Sequence, residues 1–144
     1  MYQPLIDHDS IAQILNDKGL AKIGDNLVNF MYSLAKSIVL GSSTGEKVRD
    51  SVLARAIRST SVYEQIGHRT DAGTAGDAYE AIVAYLWLTK ELQIDSIVDM
   101  LVNNLPLDSH TSRRAEGRIA ATAFKYVMTH LIDLLPPSLL HELD

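Results

Sequence analysis

Apolar side chains recur at helical spacing along most of the chain and divide it into successive helices. The pattern predicts helices over residues 11–16, 20–39, 46–58, 62–66, 74–89 and 94–104, and a last one from a cap at Ser109 or Thr111 to about residue 135. Gly19, the Gly- and Ser-rich run 41–45 and Pro106 separate these segments. The sequence therefore predicts an all-α fold in one domain over residues 1–144.

The helix between Leu20 and Val39 carries two apolar stripes. The first consists of Leu20, Ile23, Leu27, Phe30, Met31, Leu34 and Ile38. The second consists of Ala21, Asp25, Val28, Tyr32, Ala35 and Val39, and it is small or apolar except for Asp25. A helix that is apolar on two sides is usually buried on both, so we expect Asp25 beside a packed interface. A carboxylate is costly there unless a cation or a hydrogen-bond donor meets it.

The helix over residues 74–89 is apolar all round, which predicts that it is the central buried helix. Between Ala72 and Lys90 its only charged residues are Asp77 and Glu80, which are three positions apart and so share one face. One interpretation is structural: Asp77 caps the helix, and Glu80 interacts with the positive end of the helix dipole. The other is that the pair belongs to a functional site.

The composition restricts the possible function classes. The chain has 144 residues, 47% hydrophobic and 22% charged, with no cysteine, which excludes disulfides and thiolate metal sites. It shows no apolar run of about 18 residues and no signal-like start, so we expect a cytoplasmic protein. Its net charge of −5 argues against a protein that binds nucleic acid through bulk charge alone. An acidic metal site with a basic rim remains compatible with that charge.

The three acids in apolar helical settings are Asp25, Asp77 and Glu80. Carboxylates that converge in a helical core commonly hold a hard cation through oxygen ligands. Mg²⁺ needs only one or two direct carboxylates, because it keeps several waters and takes phosphate oxygens from its substrate. The residues therefore favour a Mg²⁺ site suited to phosphodiester hydrolysis.

Two segments resemble the motifs of the ribonuclease III family. LAKIGDNL, residues 20–27, is similar to the signature helix of that family, commonly LEFLGDAVL. GDAYEAIVA, residues 76–84, is similar to its second motif, an Asp-x-x-Glu followed by Ala and an apolar run. The order of the motifs, their helical setting and their spacing of about fifty residues also agree. The resemblance implies an all-helical endoribonuclease domain that hydrolyses double-stranded or structured RNA.

The resemblance also assigns roles to individual residues. It implies that Asp25, Asp77 and Glu80 are catalytic and coordinate Mg²⁺ (with Mn²⁺ as a possible substitute), and that Glu80 is the indispensable ligand. Gly24 falls on the glycine that lets two helices pack closely beside the site. A homodimer through the helix between Leu20 and Val39 is implied as well, and the second apolar stripe is available for it unless that stripe packs within the chain. We expect a minimal, stand-alone catalytic domain without a double-stranded RNA-binding domain.

One position departs from the family pattern. The family has another signature glutamate four residues before the signature aspartate, where this chain has Ala21, and seven before it lies Lys18. Asp17 and Asp71 are candidates to fill the gap. Two alternatives to a nuclease therefore stay open: a catalytically impaired ribonuclease III-like domain that serves as an RNA-binding or scaffold module, and a helical dimer without a nucleic-acid role.

Cations near the two motifs are candidates for contacts with RNA phosphates. These residues are Lys47, Arg49, Arg55, Arg58, Arg69, Arg114 and Arg118. Four of them occupy the outer side of the helix predicted over residues 46–58. The alternative is that this side is merely a solvated helix face.

Overall fold

The computed structural model describes residues 1–66 and 70–140, and every regular element in them is helical. The elements are a short 3-10 helix Gln3–Leu5, α1 (Ile11–Leu15), α2 (Lys18–Leu40), α3 (Asp50–Arg58), α4 (Tyr63–Ile66), α5 (Ala72–Leu88), α6 (Ile94–Asn103), α7 (Arg113–Ile132) and α8 (Pro137–Leu140). The predicted all-α fold is confirmed. None of the helices within these residues is long and apolar enough to cross a lipid bilayer.

Helix α5 forms the centre of the fold. Its residues from Ala75 to Leu86 are buried, with the exception of the half-buried Asp77. It packs against α1, α2, α3 and α7, which together surround it. This arrangement confirms the central buried helix that its all-round apolar sequence predicted.

The caps of α5 and α7 differ from those we considered. Asp71, not Asp77, caps α5 and accepts a hydrogen bond from the Thr74 amide at 2.7 Å. Because α5 begins at Ala72, neither Asp77 nor Glu80 lies in its first turn, so capping and the helix dipole do not explain these acids. Helix α7 is capped by Ser112, rather than by Ser109 or Thr111.

Residues 44–48 form no regular secondary structure, whereas we predicted that a helix begins at residue 46. The amides of Thr44 and Glu46 donate to the hydroxyls of Ser37 and Ser33, each at 2.9 Å. The Val48 amide donates to the Asn29 side chain at 2.7 Å. The three acceptors follow one another at four-residue spacing on α2 and replace the hydrogen bonds that a helix would make. We call this segment the strap; helix α3 begins only after it, at Asp50.

The two apolar stripes of α2 have different environments. The buried residues include Ala21, Val28, Tyr32 and Ala35 of the second stripe, which packs within the chain. Most of the first stripe remains accessible, with the exceptions of Leu20 and Met31. Its exposed members are Phe30, Leu34 and Ile38, with 53%, 37% and 59% of their surface accessible. The prediction that the second stripe is available for dimerisation is therefore wrong. The first stripe is the one that is available for a contact with another copy of the chain.

Candidate active site

The site begins where α2 and α5 cross. A Cβ atom on Gly24 would lie 1.8 Å from the carbonyl oxygen of Glu80, so only glycine fits at this crossing. The two backbones can therefore approach each other directly, as the resemblance implied for Gly24. This close approach brings Asp25, the next residue of α2, beside the side chain of Glu80.

Asp25 and Glu80 form a hydrogen-bonded pair of carboxyl groups. Glu80 is 3% exposed and is the one buried charged residue recorded in the described part of the chain. Burial, followed by the hydrogen bond to Asp25 and the charges of Asp25, Asp50 and Asp77, raises the pKa of Glu80 to about 9. The raised pKa favours the protonated form of Glu80 at neutral pH when no cation is bound.

The Asn29 side chain connects this pair to the strap. Its amide nitrogen donates to Oδ1 of Asp25 at 3.2 Å, and its amide oxygen accepts from the Val48 amide at 2.7 Å. Asn29 therefore orients the Asp25 carboxylate and fixes the end of the strap that leads into α3. The sequence analysis missed this residue, although its position four residues after Asp25 on one helix face was the available signal.

An open cleft of about 480 Å³ lies over the pair. Its acidic residues are Asp25, Asp50, Asp77 and Glu80. Asp50 was not among the predicted site residues, because a helix beginning at residue 46 would have placed it differently. The strap delays the start of α3 to Asp50 and brings this carboxylate to the cleft, where its charge contributes to the raised pKa of Glu80.

Asp77 has a different partner from the other acids. Its Oδ2 atom lies 3.0 Å from Nζ of Lys18, and both side chains are partly exposed. Lys18 and Ala21, which stand seven and four residues before Asp25, also line the cleft. An ammonium group therefore lies next to a predicted ligand, close to the position where the family has an acid.

The two acids considered as replacements for the missing glutamate lie elsewhere. Asp17 caps α2 and contacts His8 at 2.9 Å, and Asp71 caps α5. Neither lines the cleft. Among the described residues, Asp50 is therefore the additional acid that the cleft contains.

The donor atoms in the cleft fit a hard cation. Within residues 1–66 and 70–140, no three His, Asp or Glu side chains are already assembled as a metal-binding cluster. The cleft nevertheless offers carboxylate oxygens from four acids, which is the donor chemistry that Mg²⁺ prefers. The assignment of Asp25, Asp77 and Glu80 as metal ligands stays a prediction.

The cations that were predicted to contact RNA lie in different parts of the structure. Lys47 and Arg49 line the acidic cleft, together with Arg113, which was not on the predicted list. Arg49, Arg55, Arg114 and Arg118 line a neighbouring groove between α3 and α7. Arg58 lines neither and donates instead to the carbonyl oxygen of Thr70 at 2.7 Å. Arg69 lies outside the described residues.

A partly buried ionic cluster links the strap to α2 and α7. Lys36 forms ion pairs with Glu46 of the strap and with Glu116 of α7, and the Tyr32 hydroxyl donates to Glu116 at 2.7 Å. Burial alone would lower the pKa of Lys36, but hydrogen bonds to Glu46 and Glu116 outweigh it and raise that pKa. The Lys36 ammonium group therefore stays charged, and the cluster joins α2, the strap and α7 behind the cleft.

Comparison with known proteins identifies the family of the chain. A family model described as Ribonuclease III matches residues 18–135, a span that contains every residue of the acidic cleft. No curated protein sequence matches the chain significantly. Because the family match covers most of the chain, the chain belongs to the ribonuclease III family.

Proposed function

We propose that this member of the ribonuclease III family is a Mg²⁺-dependent endoribonuclease that hydrolyses phosphodiester bonds in double-stranded or structured RNA. Family membership supports an RNA-processing nuclease in general. The observation that carries the finer proposal is the pairing of Asp25 with the buried Glu80 at a cleft that also contains cations. The proposed location is the cytoplasm, which agrees with a chain that contains no cysteine.

Each part of the cleft has a role in this proposal. Asp25 and Glu80 would hold the Mg²⁺ or Mn²⁺ ion, together with the predicted ligand Asp77, and Asp50 lies at the same cleft. A bound divalent cation supplies an activated water and stabilises charge on the leaving oxygen. Glu80 would lose its proton on binding the cation, because a carboxyl group ligates in its ionised form. The cations Lys47, Arg49 and Arg113 then bind and orient the RNA phosphates.

The chemistry of the lining supports a substrate that is recognised through its backbone. Among the described residues that line the cleft, none is aromatic, so the cleft offers no platform on which an unpaired base would stack. Cationic side chains recognise phosphates without regard to sequence. This favours RNA in duplex form, which proteins recognise mainly by shape and backbone contacts.

The exposed stripe of α2 supports a homodimer. Phe30, Leu34 and Ile38 lie four residues apart on one face, and a contiguous apolar strip of this kind is a typical interaction surface. A second copy of the chain is the proposed occupant, since family resemblance implies pairing through this helix. Sedimentation velocity should show a dimer for the wild type and a monomer for Ile38→Glu. Wild-type protein that stays monomeric at high concentration would contradict the dimer.

Two observations favour a second candidate function, a catalytically impaired module that binds or scaffolds RNA. Ala21 replaces a family acid at the cleft, and Lys18 pairs with Asp77. Both changes make the cleft less negative than the family pattern. Such a module would still bind an RNA duplex through its cations but would not cut it.

Cleavage of a long RNA duplex with Mg²⁺ and with Mn²⁺ separates the two functions. The nuclease should produce staggered cuts, which Glu80→Gln should abolish without loss of fold. Glu91→Gln, which changes an exposed acid outside the cleft, is the matched control and should cut like the wild type. Absence of cutting with either metal, at a low salt concentration where the duplex is bound, would contradict the nuclease and support the module.

A further inference from the structure

The strap is held in place by a row of side chains on α2. Three of its backbone amides donate hydrogen bonds to these side chains, which are Ser37, Ser33 and Asn29. The hydroxyls of Ser33 and Ser37 also donate back to carbonyl oxygens of the strap, at 3.2 and 3.1 Å. Because the strap forms no regular secondary structure, its position depends on the orientation of these side chains.

Asn29 connects this row to the acidic cleft. Its Nδ2 atom donates to Oδ1 of Asp25 at 3.2 Å, and its Oδ1 atom accepts from the Val48 amide at 2.7 Å. Only one orientation of the amide group satisfies both neighbours, because a flip would place its oxygen against the carboxylate and its nitrogen against an N–H group. The orientation that suits Asp25 is therefore also the one that holds the strap.

The hydrogen bond at Val48 lies directly before two residues of the cleft. Arg49 is the residue before α3 and Asp50 is its first residue, and both line the cleft. The strap is anchored further back, where Glu46 forms an ion pair with Lys36. A shift of Val48 would therefore move Arg49 and Asp50 at the cleft, while the part of the strap at Glu46 stays attached to α2.

We propose that Asn29 is a positioning residue that couples the divalent cation held by Asp25 to the strap. Cation binding and the placement of Arg49 and Asp50 at the cleft then stabilise each other. The inference rests on the proposed function for the presence of the cation. Hydrogen bonds from neighbouring residues orient a carboxylate that ligates a metal ion, and the loss of such a partner commonly lowers metal affinity by about tenfold or more. Because coupling between two sites is reciprocal, a loosened strap must in turn weaken cation binding.

Hydrogen exchange followed by NMR, with and without saturating Mg²⁺, tests the link from the cation to the strap. In the wild type, Mg²⁺ should slow the exchange of the Val48 and Glu46 amides about tenfold. In Asn29→Ala at saturating Mg²⁺, the exchange of the Glu46 amide should no longer respond. That amide keeps its hydrogen bond to Ser33, but its connection to the cleft is lost.

The same variant should also bind Mn²⁺ more weakly. Calorimetry should show that the affinity of Asn29→Ala for Mn²⁺ is about tenfold lower than that of the wild type. Asn26→Ala is the matched control for both measurements, because the Asn26 side chain donates to the carbonyl oxygen of Lys22 on the same helix. This control should behave like the wild type.

The link from the strap to the cation is tested with changes outside the cleft. The double variant Ser33→Ala/Ser37→Ala removes two side chains that hold the strap, and neither serine lines the cleft. Its affinity for Mn²⁺ should be about fivefold lower than that of the wild type. The control Thr122→Ala/Thr129→Ala removes two exposed hydroxyls that donate within α7, and its affinity should not change.

Three results would overturn the proposal. The first is Mg²⁺ binding that leaves the exchange of the Val48 and Glu46 amides unchanged in the wild type. The second is a response of the Glu46 amide in Asn29→Ala that is as large as in the wild type. The third is wild-type Mn²⁺ affinity in the double serine variant. Failure of the nuclease looks different: the RNA duplex would stay uncut, while Mg²⁺ would still slow the exchange of the strap amides.

Discussion

The acidic cleft adjoins the groove between α3 and α7 that is lined by Arg49, Arg55, Arg113, Arg114 and Arg118, which we call the arginine groove. The two share Arg49 and Arg113, but they are built in opposite ways. In the cleft, Glu80 is buried, hydrogen-bonded to Asp25 and held by the crossing of two helices at Gly24. In the groove, the charged groups are exposed and have no recorded acidic partner in the described residues.

Because the two sites are built differently, mutations in the cleft and mutations in the groove should have different effects. A buried acid beside a second carboxylate raises the free energy of the folded state, so changes there should alter stability as well as chemistry. Exposed cations contribute little to stability, so changes there should alter the affinity for anions alone. The predictions below test this contrast, beginning with the largest effect.

Gly24→Ala should lower the free energy of unfolding most, by about 2–3 kcal/mol, because its Cβ would collide with the backbone of Glu80 at 1.8 Å. Urea denaturation provides the measurement. Gly45→Ala is the matched control, since a Cβ there meets no atom within 4 Å, and its stability should stay close to that of the wild type. Equal stability of the two variants would show that α2 and α5 do not cross as described.

Glu80→Gln should raise the melting temperature in EDTA, and the gain should grow as pH rises from about 5 to 9. The pKa of Glu80 is about 9 in the folded state, above its ordinary value of 4.5, so the folded state retains a proton that the unfolded state loses. Wild-type stability is therefore lost across this interval, whereas glutamine does not titrate. A gain that does not depend on pH would contradict a buried, protonated Glu80; Glu91→Gln controls for loss of charge.

Lys18→Met should raise the affinity for Mn²⁺ by about fivefold, which corresponds to about 1 kcal/mol. The substitution removes the ammonium group 3.0 Å from Asp77 and leaves this acid available to a cation. Lys22→Met removes the same charge from the cleft without freeing a paired acid, so its gain should be smaller. Equal gains in the two variants would mean that the Lys18–Asp77 pair does not restrict metal binding.

Gly117→Ala should have the smallest effect, and it should act in opposite directions on stability and binding. Alanine favours the helical state, so the free energy of unfolding should rise by about 0.5 kcal/mol. Its Cβ displaces the Arg49 guanidinium, so the affinity for an RNA duplex should fall about twofold to threefold. A denaturation curve and a binding isotherm measure both quantities, and unchanged binding would show that Arg49 is not a groove contact.

The contrast between the two sites also explains how much of the cleft the sequence revealed. Asp25, Asp77 and Glu80 were identifiable because each interrupts an apolar helix surface, and burial makes such an acid expensive. Asp50 was missed because the strap depends on hydrogen bonds to Asn29 and to serines of α2, which are distant in sequence. No local sequence pattern in residues 44–48 predicts these hydrogen bonds.

The groove and the exposed apolar face of α2 were harder to predict for another reason. Exposed arginines form no periodic signal that distinguishes a binding surface from a solvated face, and Arg113 was therefore left out. On α2, both stripes are apolar, so periodicity could not decide which one faces the core. Gly24 was the informative residue. A glycine that allows two helices to cross closely lies on the side of its helix that faces the core.

Titration of the protein with Mn²⁺ by calorimetry tests the central claim, that the Asp25–Glu80 pair is a divalent metal site, most directly. The account predicts saturable binding to the wild type and to Glu91→Gln, accompanied by proton release at neutral pH, and its loss in Glu80→Gln. Absence of saturable binding to the wild type, or equal binding to Glu80→Gln, would contradict the claim.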